Sequence, residues 1–256
     1  LLMKKIIPPT EKINNKKLFV DELSIDDALK LMIDDQAKVI KVIKKLLPQI
    51  NYITNSILTR LKKSDTGRII YTGAGTSGRI AVQDGVELYP TFGWPKARLD
   101  FIIAGGKKSL TGSIENAEDN ILEAKRMLNK LSLNKNDVVI GLAASGNTPF
   151  TNSVIKEASL LNCLTIGISN NPDGEILKNA KIGLTLSTGS EIITGSTRMK
   201  AGTSQKITLN LISTMLMILL KRIKKGQMTH MIPTNQKLKD RELRIKSFLG
   251  ILKNIS

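Results

Sequence analysis

Five short apolar runs most constrain what this chain can become: RIIYTG at 68–73, RLDFIIAGG at 98–106, DVVIGLAAS at 137–145, CLTIGIS at 163–169 and KIGLTLS at 181–187. In each the hydrophobicity is continuous rather than alternating, which requires burial on both faces and predicts strands of a parallel sheet covered by helices. Parallel neighbours need long crossovers, and the stretches between the runs have helical pattern and length. The expectation is an α/β chain built on a doubly wound, mostly parallel five-stranded sheet.

Helices are expected on either side of this core. Ser24 can cap a helix whose first turn holds Asp26 and Asp27, and Val39, Ile40, Ile43, Leu46 and Leu47 recur at three- and four-residue spacing. Pro48 is read as opening a second helix with Ile50, Ile53, Ile57 and Leu61 on one face. The last long helix is placed from about Lys200 to Lys224, with Arg222 and the lysines in its final turns suiting the negative end of the dipole. A polar helical segment follows Pro233. The division expected is a helical extension over 1–64, the sheet domain over 65–230 and a helical segment over 231–256, shorter than a complete C-terminal region.

The net charge of +17 invites a nucleic-acid reading, because clustered cations release counterions from phosphate backbones. The lysines are scattered, however, with only short groups such as KRIKK at 221–225, and aromatics for base stacking are 4% of the chain. A compositional drift toward Lys, Ile and Asn explains the charge better, and a positive field also favours small anionic substrates. The single cysteine, Cys163, excludes an internal disulfide and any multi-cysteine metal site, and it fits a reducing compartment. His230 is the one histidine, read as a surface or capping residue. The start LLMKKIIPP lacks the features of a secretory signal, and the apolar run from Ile207 to Leu220 is too short and too polar to span a membrane. A cytoplasmic protein with neither nucleic acid nor membrane as partner is expected.

In an open α/β sheet, ligands sit beyond the carboxyl ends of the strands, so the informative residues are those that follow the apolar runs. After the first run, GAGTSG places Gly73, Gly75 and Gly78 in the spacing of a dinucleotide-binding turn, with Thr76 and Ser77 between them. The second run ends in Ala104, Gly105 and Gly106 followed by two lysines, without the acidic residue that would bond a ribose hydroxyl, which argues against NAD. A tight turn needing glycine for backbone reasons explains the spacing alone equally well. After the third run, Ser145, Gly146, Asn147 and Thr148 precede Pro149 and offer hydroxyls and free N–H groups at a positive helix end, although a simple Ser/Thr cap is an equal account of this turn by itself. Two hydroxyl-rich turns at neighbouring strand ends favour a phosphorylated small molecule. A third stretch, Gly189 to Lys206, crowds Glu191, Thr194, Ser196, Thr197, Arg198 and Lys200 before the apolar helix and reads either as an anion or sugar contact or as an elaborate cap.

These turns contain no acid–base pair, and two carboxylates are candidates for one. Glu87 lies on the helix after the glycine turn and Glu118 after the second strand, both on elements that begin at the ligand-facing side, so the two could converge on one substrate, which spacing alone does not establish. Asp84, Glu115 and Asp119 compete for the same roles, and a lone helical Glu is usually solvated.

YTGAGTSGRIAVQDGVELYPTFGWP, IIAGG, ENAED, DVVIGLAASGNTPF and EIITGSTRMKAGTSQK together resemble the N-acetylmuramic acid 6-phosphate etherases of the sugar-isomerase (SIS) superfamily, in register from about Thr10 to Leu249. Glucokinase regulatory proteins share several of these motifs but are longer, with two such domains. The resemblance implies cleavage of the lactyl ether at C3, giving N-acetylglucosamine 6-phosphate and D-lactate by elimination and hydration in peptidoglycan recycling. It implies a homodimer with the site near the subunit interface, and no metal or cofactor.

By motif position Glu87 matches the family's acid and Glu118 its second catalytic carboxylate, assigned as the base at C2. Gly75, Thr76, Ser77, Gly78, Ser145, Gly146, Asn147 and Thr148 match the phosphate-binding turns, with Glu191, Ser196, Thr197 and Lys200 as further substrate contacts. The sequence departs from the family pattern at Gly85 and Val86, where many members carry a small residue and a serine, and at Asn147, where relatives often carry arginine. A non-catalytic sugar-phosphate sensor is the alternative from another class, and an aldose–ketose isomerase a third reading. A retained carboxylate pair favours catalysis, since a sensor needs only the phosphate turns.

Overall fold

In the computed structural model, which describes residues 7–13 and 19–251, the five apolar runs form five strands: β1 Ile69–Gly73, β2 Leu99–Ile103, β3 Val138–Ala143, β4 Leu164–Ser169 and β5 Ile182–Thr185. All neighbours pair in parallel in the order β2-β1-β3-β4-β5, with Ile69 opposite both Leu99 and Val138. The first six residues of LLMKKIIPP and the final residues after Ile251 lie outside the described residues.

The crossovers are α2 Gly75–Val86 with the short α3 Leu88–Phe92, then α4 Ile121–Leu131, α5 Pro149–Leu160 and α6 Glu175–Asn179. The two-residue period of the strands divides the core. Ile69, Tyr71, Val138, Ile140 and Leu142 pack in one buried cluster with Ala81 and Leu88, whereas Ile70, Val139 and Ala143 face a second cluster with Phe150, Val154 and Ile155 of α5. Helices α2 and α5 therefore cover opposite faces. Strand order reverses between β1 and β3, so the turns after these two strands flank the crevice where such sheets bind ligands.

The amino-terminal helix α1 runs unbroken from Ile25 to Leu61, capped by Ser24, whose Oγ accepts from Asp27 N at 3.2 Å. Pro48 does not start a second helix. Its ring removes one intrahelical bond, but buried Ile43, Ile50, Ile53 and Ile57 on either side bind one continuous face to the sheet layer, and this packing outweighs the loss. The helix before the C-terminal segment, α7, spans Lys200–Leu219 and stops short of Lys224. Lys221 takes a left-handed φ of 59°, and the basic group falls beyond the last turn, so the dipole complementarity expected of it is not realised. Helix α8, Gln236–Phe248, follows. Among the described residues no helix is long and apolar enough to cross a membrane.

Candidate active site

Helix α2 begins directly after β1, and α5 after the turn that follows β3. Neither helix start carries a side-chain cap: Ala74 stands before α2, and the hydroxyl of Thr148, the residue before Pro149, does not cap α5. The capping account of this turn thus fails, and backbone N–H groups at two positive helix ends are left to face the crevice. Gly78 makes the first turn possible. A Cβ there would lie 2.9 Å from the Gly73 carbonyl oxygen, so only glycine lets α2 start this close to its strand. Gly146, at φ 76°, is pressed against Gly174, where a Cβ would lie 2.4 Å from its Cα.

A cleft of about 320 Å³ opens between these helix ends, lined by Gly75, Thr76, Ser77, Ser145, Thr148 and Thr197, with Glu11 and Glu118 among the remaining walls. Its size suits a small ligand, and its hydroxyls and helix ends suit a dianionic phosphate. It adjoins a second hollow of about 270 Å³ that also contains Glu118, together with Arg79 and Glu115. Arg79 donates to the Ser109 carbonyl at 3.0 Å, which holds its guanidinium along this wall. A larger hollow of about 690 Å³ lies between the edge of β2 and α4, floored by Phe101 and Met127. Neither the α2 turn nor the α5 turn lines it, so the phosphate reading attaches to the smaller cleft.

Within one protomer the two candidate carboxylates lie apart. Glu118 is exposed on the turn Ala117–Asp119 and faces the cleft. Glu87 follows the last residue of α2, and twelve residues at 1.5 Å each carry it about 18 Å along the axis from Gly75. It is exposed there, with Thr91 Oγ1 donating to it at 3.4 Å. Within one protomer, then, Glu87 does not meet Glu118, because the element that begins at the ligand side ends well away from it. Of the competitors, Asp84 is buried and accepts from Tyr71 Oη, Asn210 Nδ2 and Ser213 Oγ at 3.0, 2.7 and 3.1 Å, which commits it to tying α2 to β1 and α7.

Four further candidates, Asn147, Glu191, Ser196 and Lys200, do not line the cleft. The Asn147 side chain accepts from Glu175 N at 3.0 Å and caps α6 instead of facing the cleft. Glu191 is fully buried and accepts from Lys200 N and Ala201 N at 3.0 and 2.8 Å, forming the N-terminal cap of α7. Burial raises its pKa, and the two backbone donors offset part of that rise. Lys200 is also buried, its ammonium held by Asp35 at 2.9 Å and by the Ser190 carbonyl at 2.6 Å. Of the 189–206 stretch, Thr197 reaches the cleft, and Glu191, Ser196 and Lys200 do not line it. The elaborate-cap reading holds for Glu191, and an ion pair to α1 accounts for Lys200.

Sequence reasoning passed over Arg79 and Glu11. Arg79 immediately follows the third glycine, and the direction in which a first-turn residue points was the available signal. Glu11 had no signal, since it reaches the cleft only through tertiary contacts.

Fold and cleft define a SIS-type protein, and comparison with known proteins agrees. The profile "SIS domain" matches residues 116–219, and "Glucokinase regulatory protein N-terminal SIS domain" matches 49–159. Among solved structures, a phosphoheptose isomerase from Francisella tularensis superimposes with a TM-score of 0.57 at 19% identity, covering 78% of this chain and 100% of that one. The Escherichia coli CFT073 protein c3406, solved in a ligand complex, gives 0.58 at 16%, covering 80% and 97%. At such identities the likeness shows the fold alone. Closer relatives are the N-acetylmuramic acid 6-phosphate etherases of Mycoplasma mycoides, 44% identical over 92% of this chain and 78% of that protein, and of Staphylococcus epidermidis, 40% identical over 92% and 79%. The chain belongs to this family of etherases.

Proposed function

We propose that this chain cleaves the D-lactyl ether of N-acetylmuramic acid 6-phosphate, giving N-acetylglucosamine 6-phosphate and D-lactate. The observation that carries this reading is the convergence of five hydroxyls and two uncapped helix starts on a cleft that also holds Glu118, in a chain 44% identical to an etherase. The hydroxyls and the N–H groups of α2 and α5 take the phosphate. With the sugar ring open, the C1 aldehyde acidifies the proton on C2. Glu118 removes that proton, the C3–O bond breaks, and a carboxylic acid protonates the departing lactate oxygen. Water then adds across the C2–C3 double bond, its hydroxyl to C3 and a proton to C2. The sum is ether hydrolysis with no change of oxidation state. Among the described residues no group of three or more His, Cys, Asp and Glu is placed to hold a metal ion.

The acid is assigned to Glu87 of a second copy. Its distance from the cleft of its own protomer supports this, and so does exposed Val86 beside it, which adds apolar surface suited to burial between subunits. The working unit is then a homodimer, placed in the cytoplasm, where reduced Cys163 and a phosphorylated sugar belong. The test is lactate release by parent protein, by Glu87→Gln, by Glu118→Gln and by mixed dimers of the two variants. Each variant alone is expected to be inactive, and the mixed dimer to regain up to about half of parent activity, since one of its two sites receives both intact carboxylates. Inactive mixed dimers that form normally contradict the shared site. The match to a glucokinase regulatory domain favours a sensor as the second reading, for which a folded parent binds the sugar phosphate and releases no lactate.

A further inference from the structure

The cleft contains a second carboxylate of the same protomer, Glu11, supplied by the short turn Pro9–Glu11 far upstream of the sheet. This turn is fastened to the rim. Thr10 is fully buried, its N–H donates to Asn171 Oδ1 at 3.1 Å, and Asn171 Nδ2 returns a bond to Thr10 Oγ1 at 2.9 Å. Asn171 also donates to the carbonyl of Ala144, the residue before Ser145, at 3.0 Å, so one buried amide locks the turn to the phosphate-binding loop. On the other side Glu11 lies against the loop that carries Thr197: a Cβ on Gly195, itself at φ 73°, would sit 3.0 Å from Glu11 Oε2. Its backbone is therefore anchored beside the cleft while its side chain is exposed, and among the described residues no donor or cation is bonded to the carboxylate.

A carboxylate only accepts hydrogen bonds, and it repels both anionic ends of the substrate, the phosphate and the lactyl carboxylate. The groups it can receive are the hydroxyls on the carbons between them. Resting on the etherase reading of this cleft, we infer that Glu11 is a substrate-positioning residue. It accepts hydrogen bonds from the hydroxyls near C4 and C5 of the sugar, which fixes the chain so that the C2 proton faces Glu118. The same charge disfavours small phosphates that bring no hydroxyl to meet it.

Binding of N-acetylglucosamine 6-phosphate and of inorganic phosphate to parent and Glu11→Ala, by calorimetry, separates this role from a structural one. Loss of a hydrogen bond to a charged group predicts sugar-phosphate affinity lower by about ten- to a hundred-fold, with phosphate affinity unchanged or raised, melting temperature unchanged and partial rescue by Glu11→Asp. Equal loss for both ligands, or no loss for the sugar phosphate, overturns the inference. Lactate release by the parent is scored separately: its absence counts against the etherase reading, while the binding crossover judges Glu11 independently.

Discussion

Replacing Lys200 with Met tests whether this residue belongs to the scaffold or to the substrate. Its side chain is 4% exposed and that of its partner Asp35 8%, and the pair spans 2.9 Å between α7 and α1. Removing one member of a buried pair costs about 3–5 kcal/mol, because the other charge is left stranded. Here Asp35 keeps Lys38 at 2.6 Å, but that side chain is 46% exposed and the pair is screened by solvent, so the rescue is partial. The Ser190 carbonyl also loses its donor, at a cost of about 1 kcal/mol. The net expectation is about 2–4 kcal/mol of lost stability, equivalent to roughly 4–8 °C in melting temperature for a chain of this length.

A pH dependence follows from the same pair. Burial alone pushes Asp35 up, but the bonds and charges of Lys200 and Lys38 outweigh it and hold the carboxyl below its ordinary 3.8. The stability this contributes is fully present above that ordinary value and is lost as pH falls through the lower native one. The deficit of Lys200→Met is therefore largest from pH 5 upward and narrows in acid. Asp35→Leu combined with Lys200→Met should recover much of the loss, since neither charge is then buried alone. Urea denaturation across pH 3–8 supplies the numbers, with KM for lactate release measured beside them. A stable variant with raised KM refutes the scaffold role and returns Lys200 to the substrate site.

Two smaller predictions share this logic. Gly78→Ala drives a methyl to 2.9 Å from the Gly73 carbonyl, so it should cost about 1–3 kcal/mol in denaturation and weaken sugar-phosphate binding, whereas Gly202→Ala, whose Cβ meets its nearest neighbour at 3.3 Å, should cost less. Burial pushes the Cys163 thiol up to about 11, so iodoacetamide at pH 8 should label it only on unfolding, as followed by mass spectrometry.

β1, β3 and β4 were legible because burial on both faces leaves a short continuous apolar run, while the edge strands β2 and β5 are only partly buried and were legible from their length and flanking turns. The glycine turn after β1 was legible for a similar reason: the close strand-to-helix approach leaves no room for a Cβ at Gly78. Helix lengths were less so. Pro48 and the basic group at 221–225 carry local signals for a break and for a helix end, and packing of α1 against α7 overrides the first while the left-handed turn at Lys221 pre-empts the second. Polar residues that hold loops in place looked like ligands. Glu191, Lys200 and Asn147 have the chemistry of a binding site, and only their partners reveal that this chemistry is spent on α7, α1 and α6. Glu11 is the converse, a residue in an unpatterned segment that tertiary contacts bring to the cleft.

The most direct test of Glu118 as the base is exchange of the C2 hydrogen in heavy water, followed by NMR with N-acetylmuramic acid 6-phosphate bound to Glu118→Gln. This variant is expected to bind the substrate, leave the C2 hydrogen in place and release no lactate. Deuterium appearing at C2, or lactate released at the parent rate, contradicts that assignment.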